Sequence, residues 1–200
     1  MKSYLSSQKT QTELTKLSVK GTVPKWLNGK LLRNGPALFE TETVKFKHWF
    51  DGYGLLHGFN IQNGKVFYHS KFIQSEEYLK SQTAGKFLDI TWGTPVDPCS
   101  SIFQKLFVVF SATPSNTNVN IVKIGQKYFT ISDILTMNEV DIDSLETLST
   151  RNKANGAMAA HPAFDKDGSV WNIISSFSPK NPVNKIVCFN RPLALIQKIV

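Results

Sequence analysis

The strongest signal for the fold lies in residues 55–73, whose sequence is LLHGFNIQNGKVFYHSKFI. Two runs rich in aromatic and aliphatic residues, 55–61 and 66–73, flank the tetrapeptide Gln62–Lys65. The Asn-Gly pair at its centre suits a tight two-residue turn, because both residues tolerate the positive φ that such a turn requires. This stretch therefore predicts a β-hairpin.

The same pattern recurs along the chain. Residues 119–124 and 127–131 flank Gly125-Gln126 as a second predicted hairpin, and 141–148 indicates a capped turn that leads into a short strand. Further short strands are predicted at 44–50, 170–174, 185–190 and 195–200. Repeated hairpins with little helical periodicity predict an all-β domain, either a sandwich, a barrel or a propeller.

Composition and charge describe an ordinary globular protein. The 200 residues are 41% hydrophobic and 19% charged, which is enough apolar material for one sizeable domain. The net charge of +8 would suit nucleic acid or an anionic membrane, but the basic residues are scattered, so a simply basic surface explains the charge equally well. No strand interleaves basic and aromatic residues in the manner of RNA-binding strands, so we expect no nucleic-acid partner.

Cysteine spacing and hydropathy bear on the cellular setting. Cys99 and Cys188 form no CxxC pair and no disulfide framework, which favours a reducing, cytoplasmic location. The polar N-terminus predicts no secretory signal, and no apolar run approaches the ~20 residues of a membrane-spanning helix. Residues 102–110, IFQKLFVVF, form either a buried strand or a membrane-contacting patch. The chain ends within the apolar run 193–200, from which we expect it to be a fragment.

The histidines offer one candidate metal ligand. His48, His57 and His69 each lie beside aromatic residues in strand-like runs, where a packed or surface histidine is the usual case. His161 differs, because small residues precede it, Pro162 follows it and a turn comes next, in the sequence GAMAAHPAFDKDG of residues 156–168. Such a site could present an imidazole to a metal ion, but it supplies a single ligand. Phosphate-loop and GxSxG motifs are absent.

The order of five motifs resembles the carotenoid cleavage oxygenase family. The motifs are GTVPKWLNGKLLRNGP at 21–36, FDGYGLLH at 50–57, DPCSSIF at 97–103, TNVN at 117–120 and AHP at 160–162. The third of them is similar to a stretch of the animal branch, which includes β-carotene oxygenases and the retinal pigment epithelium isomerohydrolase. The resemblance extends from about Leu17 to about Phe177.

The resemblance implies a fold and a cofactor. The family has a seven-bladed β-propeller with short helical and loop insertions, so residues 1–16 would be a tail and 17–200 the N-terminal portion of one incomplete propeller domain. It also implies Fe(2+) held by four histidines from different blades, with His161 as the first. Neutral imidazoles suit ferrous iron and leave positions open for O2. The other three ligands would lie beyond residue 200, since the remaining histidines of this chain do not match them.

Further residues take roles from the same resemblance. Asp133 stands where the family has a glutamate that orients a ligand histidine, and it is one methylene shorter. Trp92 and Ser132 stand where the family lines its substrate tunnel. Cys99 matches a lipid-anchor position, and the adjoining membrane-contact residues would be Ile102, Phe103, Leu106, Phe107 and Phe110.

The expected function is oxidative cleavage of a conjugated double bond of a carotenoid to retinal-type aldehydes, with O2 as the second substrate and peripheral contact with a membrane. Two alternatives remain open. One is retinoid isomerohydrolase or carotenoid isomerooxygenase activity of the same family, and the other is a non-catalytic β-propeller that binds a partner. Three further histidines in a longer product would favour the enzyme. The choice of carotenoid and of double bond depends on tunnel walls that the resemblance assigns mostly to later blades.

Overall fold

The computed structural model describes residues 4–41, 45–85, 114–151, 156–176, 183–189 and 197–199. These ranges hold thirteen β-strands, one α-helix and one short 3-10 turn, so the predicted all-β class is confirmed. The strands form three antiparallel sheets that follow one another along the chain.

The first sheet contains the predicted hairpin. Its strands are β1 (Gln11–Lys16), β2 (Gly29–Leu38), β3 (Tyr53–Gln62) and β4 (Lys65–Phe72), in the spatial order β1-β4-β3-β2. At the β3–β4 turn Asn63 has φ 51° and Gly64 has φ 75°, which are the left-handed values that an Asn-Gly hairpin turn requires. The turn fixes the register, so that Gln62 pairs with Lys65.

The second sheet is an antiparallel meander. It consists of β5 (Asn120–Ile124), β6 (Lys127–Ile131), β7 (Met137–Val140) and β8 (Thr147–Arg151), in chain order. The second predicted hairpin is therefore confirmed as β5–β6. The expected capped turn at 141–148 also forms, because the Asp141 carboxylate accepts hydrogen bonds from the backbone N–H groups of Asp143 and Ser144 at 3.0 and 2.7 Å.

The third sheet has a divided edge. Its strands are β9 (Gly156–Met158), β10 (Ala163–Phe164), β11 (Val170–Ser176), β12 (Val183–Cys188) and β13 (Gln197–Ile199). β12 covers one side of β11, while β9 and β10 pair with opposite ends of its other side. The segment between β9 and β10 therefore leaves the sheet for a few residues, and His161 lies in it.

Apolar clusters fill the spaces between successive sheets. Leu56 and Ile73 of the first sheet pack with Val140 and Leu145 of the second. On the opposite face of the second sheet, Val122, Phe129, Ile131, Leu135 and Met137 pack with Met158. Ile121 and Tyr128 pack against the first of these clusters, whereas the next residues along β5 and β6, Val122 and Phe129, belong to the second. This alternation follows from the two-residue period of a strand. The second sheet is buried on both faces between the other two.

The helix α1 (Glu76–Ala84) was not expected from the sequence pattern. It begins after Ser75, whose hydroxyl accepts a hydrogen bond from the Tyr78 backbone N–H at 3.2 Å, and it ends at Gly85 with φ 61°. A hydroxyl at the N-cap and a left-handed glycine at the end are standard helix boundaries. Within the described residues, no helix has the length and apolar character needed to cross a membrane.

Three details differ from the sequence expectations. Part of the N-terminal stretch assigned to a tail forms β1, which pairs with β4 across more than fifty residues. The strand predicted at 44–50 is wrong, because the His48 Nδ1 accepts from the Phe50 backbone N–H at 3.3 Å and caps a 3-10 turn at Trp49–Asp51. β2 was not among the predicted strands, and it contains Asn34-Gly35-Pro36; its place at the sheet edge and a register shift after Pro36 accommodate the N–H that proline lacks.

Candidate metal-ligand site

His161 lies at the gap in the divided edge of the third sheet, and its side chain is exposed. One of the small residues that precede it, Gly156, is required for a steric reason. A Cβ at that position would overlap the Ser175 carbonyl oxygen and the Leu135 side chain, so the backbone can approach its neighbours only as glycine. The chain thus enters the loop of residues 159–162, called here the histidine loop, in close contact with β11.

Two polar side chains clamp the main chain of the histidine loop. Asn172 on β11 accepts a hydrogen bond from the Ala159 N–H at 3.0 Å and donates one to the Ala159 carbonyl at 2.9 Å. Asp133, which follows β6, accepts from the Ala160 N–H at 3.3 Å, and its own carbonyl accepts from the Met158 N–H at 3.2 Å. The loop is therefore held from the third sheet on one side and from the second sheet on the other.

Asn120, the first residue of β5, contacts the imidazole itself. Its Nδ2 donates to the Ala160 carbonyl at 3.0 Å and lies 3.3 Å from the His161 Nδ1. Its Oδ1 accepts from the Ile121 backbone N–H at 2.8 Å. Since a carbonyl oxygen can only accept, the Ala160 contact determines that the nitrogen end of the amide faces the ring.

A second asparagine connects this arrangement to the first sheet. The Nδ2 of Asn34, on β2, donates to the carbonyls of Thr117 and Asn120 at 2.8 and 3.1 Å. Neighbouring strands β2 and β5 are thereby linked, and β5 is linked in turn to the histidine loop. Hydrogen bonds therefore connect all three sheets close to the exposed His161.

As a metal ligand, His161 fits the chemistry of ferrous iron but would act as a single donor. An exposed imidazole is an ordinary iron ligand, and Nε2 has no hydrogen-bond partner among the described residues. Across those same ranges, no group of three or more His, Cys, Asp or Glu side chains comes together in a way that could hold a metal ion. Any tight site would need donors from elsewhere.

The other residues expected at the site have specific places. Asp133 bonds the main chain beside His161 rather than its ring. Ser132 is buried, and its hydroxyl donates to the Asn116 carbonyl at 3.2 Å. The predicted tunnel residue Trp92 and the predicted membrane-contact residues lie outside the described residues, and the latter are Cys99, Ile102, Phe103, Leu106, Phe107 and Phe110.

Two of the other histidines, His57 and His69, are held by local contacts within the first sheet. His57 bonds the Tyr68 hydroxyl through Nδ1 at 2.8 Å, and burial, followed by the Arg33 charge, lowers its pKa. His69 is buried against Gly58, and its Nε2 has no hydrogen-bond partner in the described structure. The sequence missed Asn120, Asn172 and Asn34 as partners of the histidine loop, although the TNVN motif at 117–120 contains one of them.

Comparison with known proteins places this geometry in a class. The chain resembles the solved structure of a point variant of Synechocystis apocarotenoid oxygenase with a TM-score of 0.75 and 23% identity, over 98% of this chain and 43% of that one. At this identity the likeness concerns the fold alone. The three sheets, which pack face to face, are therefore blades of a carotenoid-oxygenase-type β-propeller, of which this chain forms a part.

The family follows from the sequence comparison. A family model described as retinal pigment epithelial membrane protein matches residues 5–194, and the chain belongs to this carotenoid oxygenase family. It is 38% identical over 182 residues to a mitochondrial carotenoid-cleaving dioxygenase of Pongo abelii, covering 84% of this chain and 32% of that protein. It is 36% identical over 196 residues to a β,β-carotene 15,15'-dioxygenase of Rattus norvegicus, covering 93% and 34%. The chain thus spans about a third of the length of the curated relatives it matches.

Proposed function

We propose that this chain forms the N-terminal part of a non-heme Fe(2+) dioxygenase that cleaves a conjugated double bond of a carotenoid to retinal-type aldehydes. The observation that carries the proposal is the presence of one exposed histidine on a clamped loop in a chain of this family. The names of the curated relatives, which are carotenoid dioxygenases, support the substrate class.

His161 is the residue that would hold the iron. Ferrous iron, when bound, supplies the centre at which O2 is activated for addition across the double bond, yielding two carbonyl products. The contribution of the described residues is to hold the imidazole of His161 in position. Asn172 and Asp133 fix the main chain at Ala159 and Ala160, so the imidazole starts from a defined place and loses little conformational freedom on binding.

The remaining assignments support the same function as proposals. Trp92 and Ser132 would belong to the wall of the apolar tunnel that receives the polyene. The membrane-contact residues at 99–110 would let the protein take an insoluble substrate from a bilayer, and a cytoplasmic location with peripheral membrane contact suits that route. Asp133 would act on the histidine loop through the main chain.

The test compares iron content and product formation in the longer protein that contains these residues. We expect His161→Ala to lose bound iron and cleavage of β-carotene to below detection, as measured by elemental analysis and chromatography. His48→Ala is the matched control, because His48 is also exposed and its described contacts are local, namely a turn cap and a ring contact with Phe50. Iron content unchanged in His161→Ala would remove this residue from the ligand set.

A second arm separates the enzyme from its alternatives. Residues 1–200 alone should bind less than one iron per chain and show no turnover, since a single imidazole holds ferrous iron weakly. Cleavage by the isolated chain would contradict the proposed division of the ligands. Conversion of a retinyl ester in place of β-carotene would instead favour the isomerohydrolase alternative.

A further inference from the structure

One amide nitrogen serves two acceptors at the histidine loop. The Nδ2 of Asn120 carries two hydrogens, and it lies 3.0 Å from the Ala160 carbonyl oxygen and 3.3 Å from the His161 Nδ1. The amide cannot turn over without placing its oxygen against that carbonyl and losing the Ile121 N–H bond at 2.8 Å. The end of Asn120 that faces the ring is therefore a donor.

The contact has a consequence for the proton on the ring. A neutral imidazole has one nitrogen that donates and one that accepts, so an Nδ1 that accepts from Asn120 leaves the proton on Nε2. A metal ion binds a lone pair. In this arrangement the Nδ1 lone pair is used by Asn120, and Nε2 carries a hydrogen in place of its lone pair.

Asn120 itself is held firmly. Asn34 donates to its carbonyl at 3.1 Å, and the β5–β6 pairing places it opposite Ile131. Its main chain is thus fixed from the first and second sheets, and only the side chain remains to adapt. A change at this side chain should act on His161 without displacing the strand.

We propose that Asn120 is a positioning residue that sets the tautomer of His161 and so controls which ring nitrogen is open to a metal ion. The metal part of this inference rests on the proposed function, whereas the tautomer belongs to the metal-free chain. For Nε2 to bind a metal, the proton must move to Nδ1, and the Asn120 contact has to be given up or exchanged for one with an acceptor.

The chain offers a matched pair of variants. Asn120→Asp and Asn172→Asp each replace an NH2 group that donates to a carbonyl of the histidine loop, at Ala160 and Ala159 respectively. Only the first puts an acceptor beside the ring nitrogen. Any general loosening of the loop should therefore be common to both variants, while an effect on the ring proton should be confined to Asn120→Asp.

The decisive readout is the tautomer of His161, measured from imidazole ¹⁵N shifts in the metal-free chain at a pH where the ring is neutral. We expect the Nε2–H form in the parent chain and in Asn172→Asp, and the Nδ1–H form in Asn120→Asp. Asn120→Ala should populate both forms, and it provides the test if the Asp variant does not fold. The signals of His57 and His69, which lie in the first sheet, report whether each variant keeps its fold.

The same tautomer in the parent chain and in Asn120→Asp would overturn the inference, as would an equal change in Asn172→Asp. Adding Co²⁺ separates this result from the proposed function. We expect the His161 ring signals of Asn120→Ala, which adds no carboxylate that could itself bind Co²⁺, to broaden at a Co²⁺ concentration roughly tenfold lower than in the parent chain, the size of effect that partners of a ligand imidazole produce. A tautomer change without any broadening at His161 would reject the ligand role and leave the positioning role standing.

Discussion

Two histidines of this protein are fixed in place by opposite means. His69, on β4, lies across Gly58 of β3 with its ring buried, and no group of the described structure bonds its Nε2. Leu145 of the second sheet lies 3.4 Å from where a Gly58 Cβ would be. His161 is exposed, and directed hydrogen bonds fix its loop and touch its ring. We call the first region the buried histidine contact and define it by Gly58, His69 and Leu145.

The difference teaches how each histidine can be used. Burial, followed by the Lys30 charge, lowers the pKa of His69, so its ring is kept neutral and serves as a packing element. The ring of His161 is exposed, and hydrogen bonds to its loop and to Nδ1 fix its position. Packing at the first region contributes to stability, while hydrogen bonding at the second leaves Nε2 without a partner among the described residues.

The largest expected effect comes from filling the space at Gly58. A Cβ there would lie 2.5 Å from the His69 Nε2 and 2.7 Å from its Cδ2, and the buried ring has little room to move. We expect Gly58→Ala to reduce the free energy of unfolding by about 2 kcal/mol, as overpacking of a buried site does. Urea denaturation followed by tryptophan fluorescence measures this.

Gly35→Ala is the control for that substitution. Gly35 lies on β2 and pairs with Leu55 of β3, and a Cβ added to it would meet no atom of the described residues within 4 Å. Its variant should stay within about 0.5 kcal/mol of the parent chain. Equal losses in both variants would mean that the cost lies in the strand backbone and that the buried histidine contact is loosely packed.

The pH dependence of stability gives a sharper test of the same region. Because the folded-state pKa of His69 lies below 6.5, the unfolded chain takes up this proton first as the pH falls. Its contribution to stability is therefore complete above pH 6.5 and is lost as the pH falls toward the folded-state pKa. The charges that face the ring are Lys30 and Lys71, which oppose protonation, and Asp143, which favours it.

We expect His69→Phe to flatten the pH profile of the free energy of unfolding below pH 6.5, by at most about 1.4 kcal/mol per pH unit. The profile is compared in shape, so a constant offset from the new ring does not matter. His57 also has a lowered pKa and should leave a residual slope. An unchanged slope in His69→Phe would show that folding does not lower the pKa of this ring.

The parts of the fold that could be predicted are those determined by short, local stretches of sequence. The hairpin of β3 and β4 follows from an Asn-Gly turn between two apolar runs, and no distant residue is needed to form it. The pairing of β1 with β4 was not predictable, since it joins residues more than fifty positions apart. The helix α1 is short and follows a strand directly, so its N-cap serine was the main available sign.

The same distinction holds for the candidate site. His161 could be singled out from the sequence because its small neighbours and Pro162 form a local pattern, and its role as a ligand stays a prediction. Its partners could not be singled out, because Asn120 is 41 positions earlier in the chain and becomes a neighbour only when the second and third sheets meet. Asp133 was expected near a ligand histidine, and folding brings it to the main chain of the histidine loop. Side-chain bonding across sheets depends on the assembled fold.

The smallest expected effect is that of His161→Ala on stability. The ring is exposed, and its removal leaves the Asn120 Nδ2 still bonded to Ala160, with its other hydrogen open to water. No buried polar group loses its partner, so the free energy of unfolding of residues 1–200 should change by less than about 0.5 kcal/mol in urea denaturation. A loss above about 1 kcal/mol would mean that the ring helps to hold the sheets together, and the contrast with His69 would fail. A negligible loss would mean that hydrogen bonds orient this histidine without making the fold depend on it, so that the ring can change its tautomer and its hydrogen-bond partner at little cost in stability.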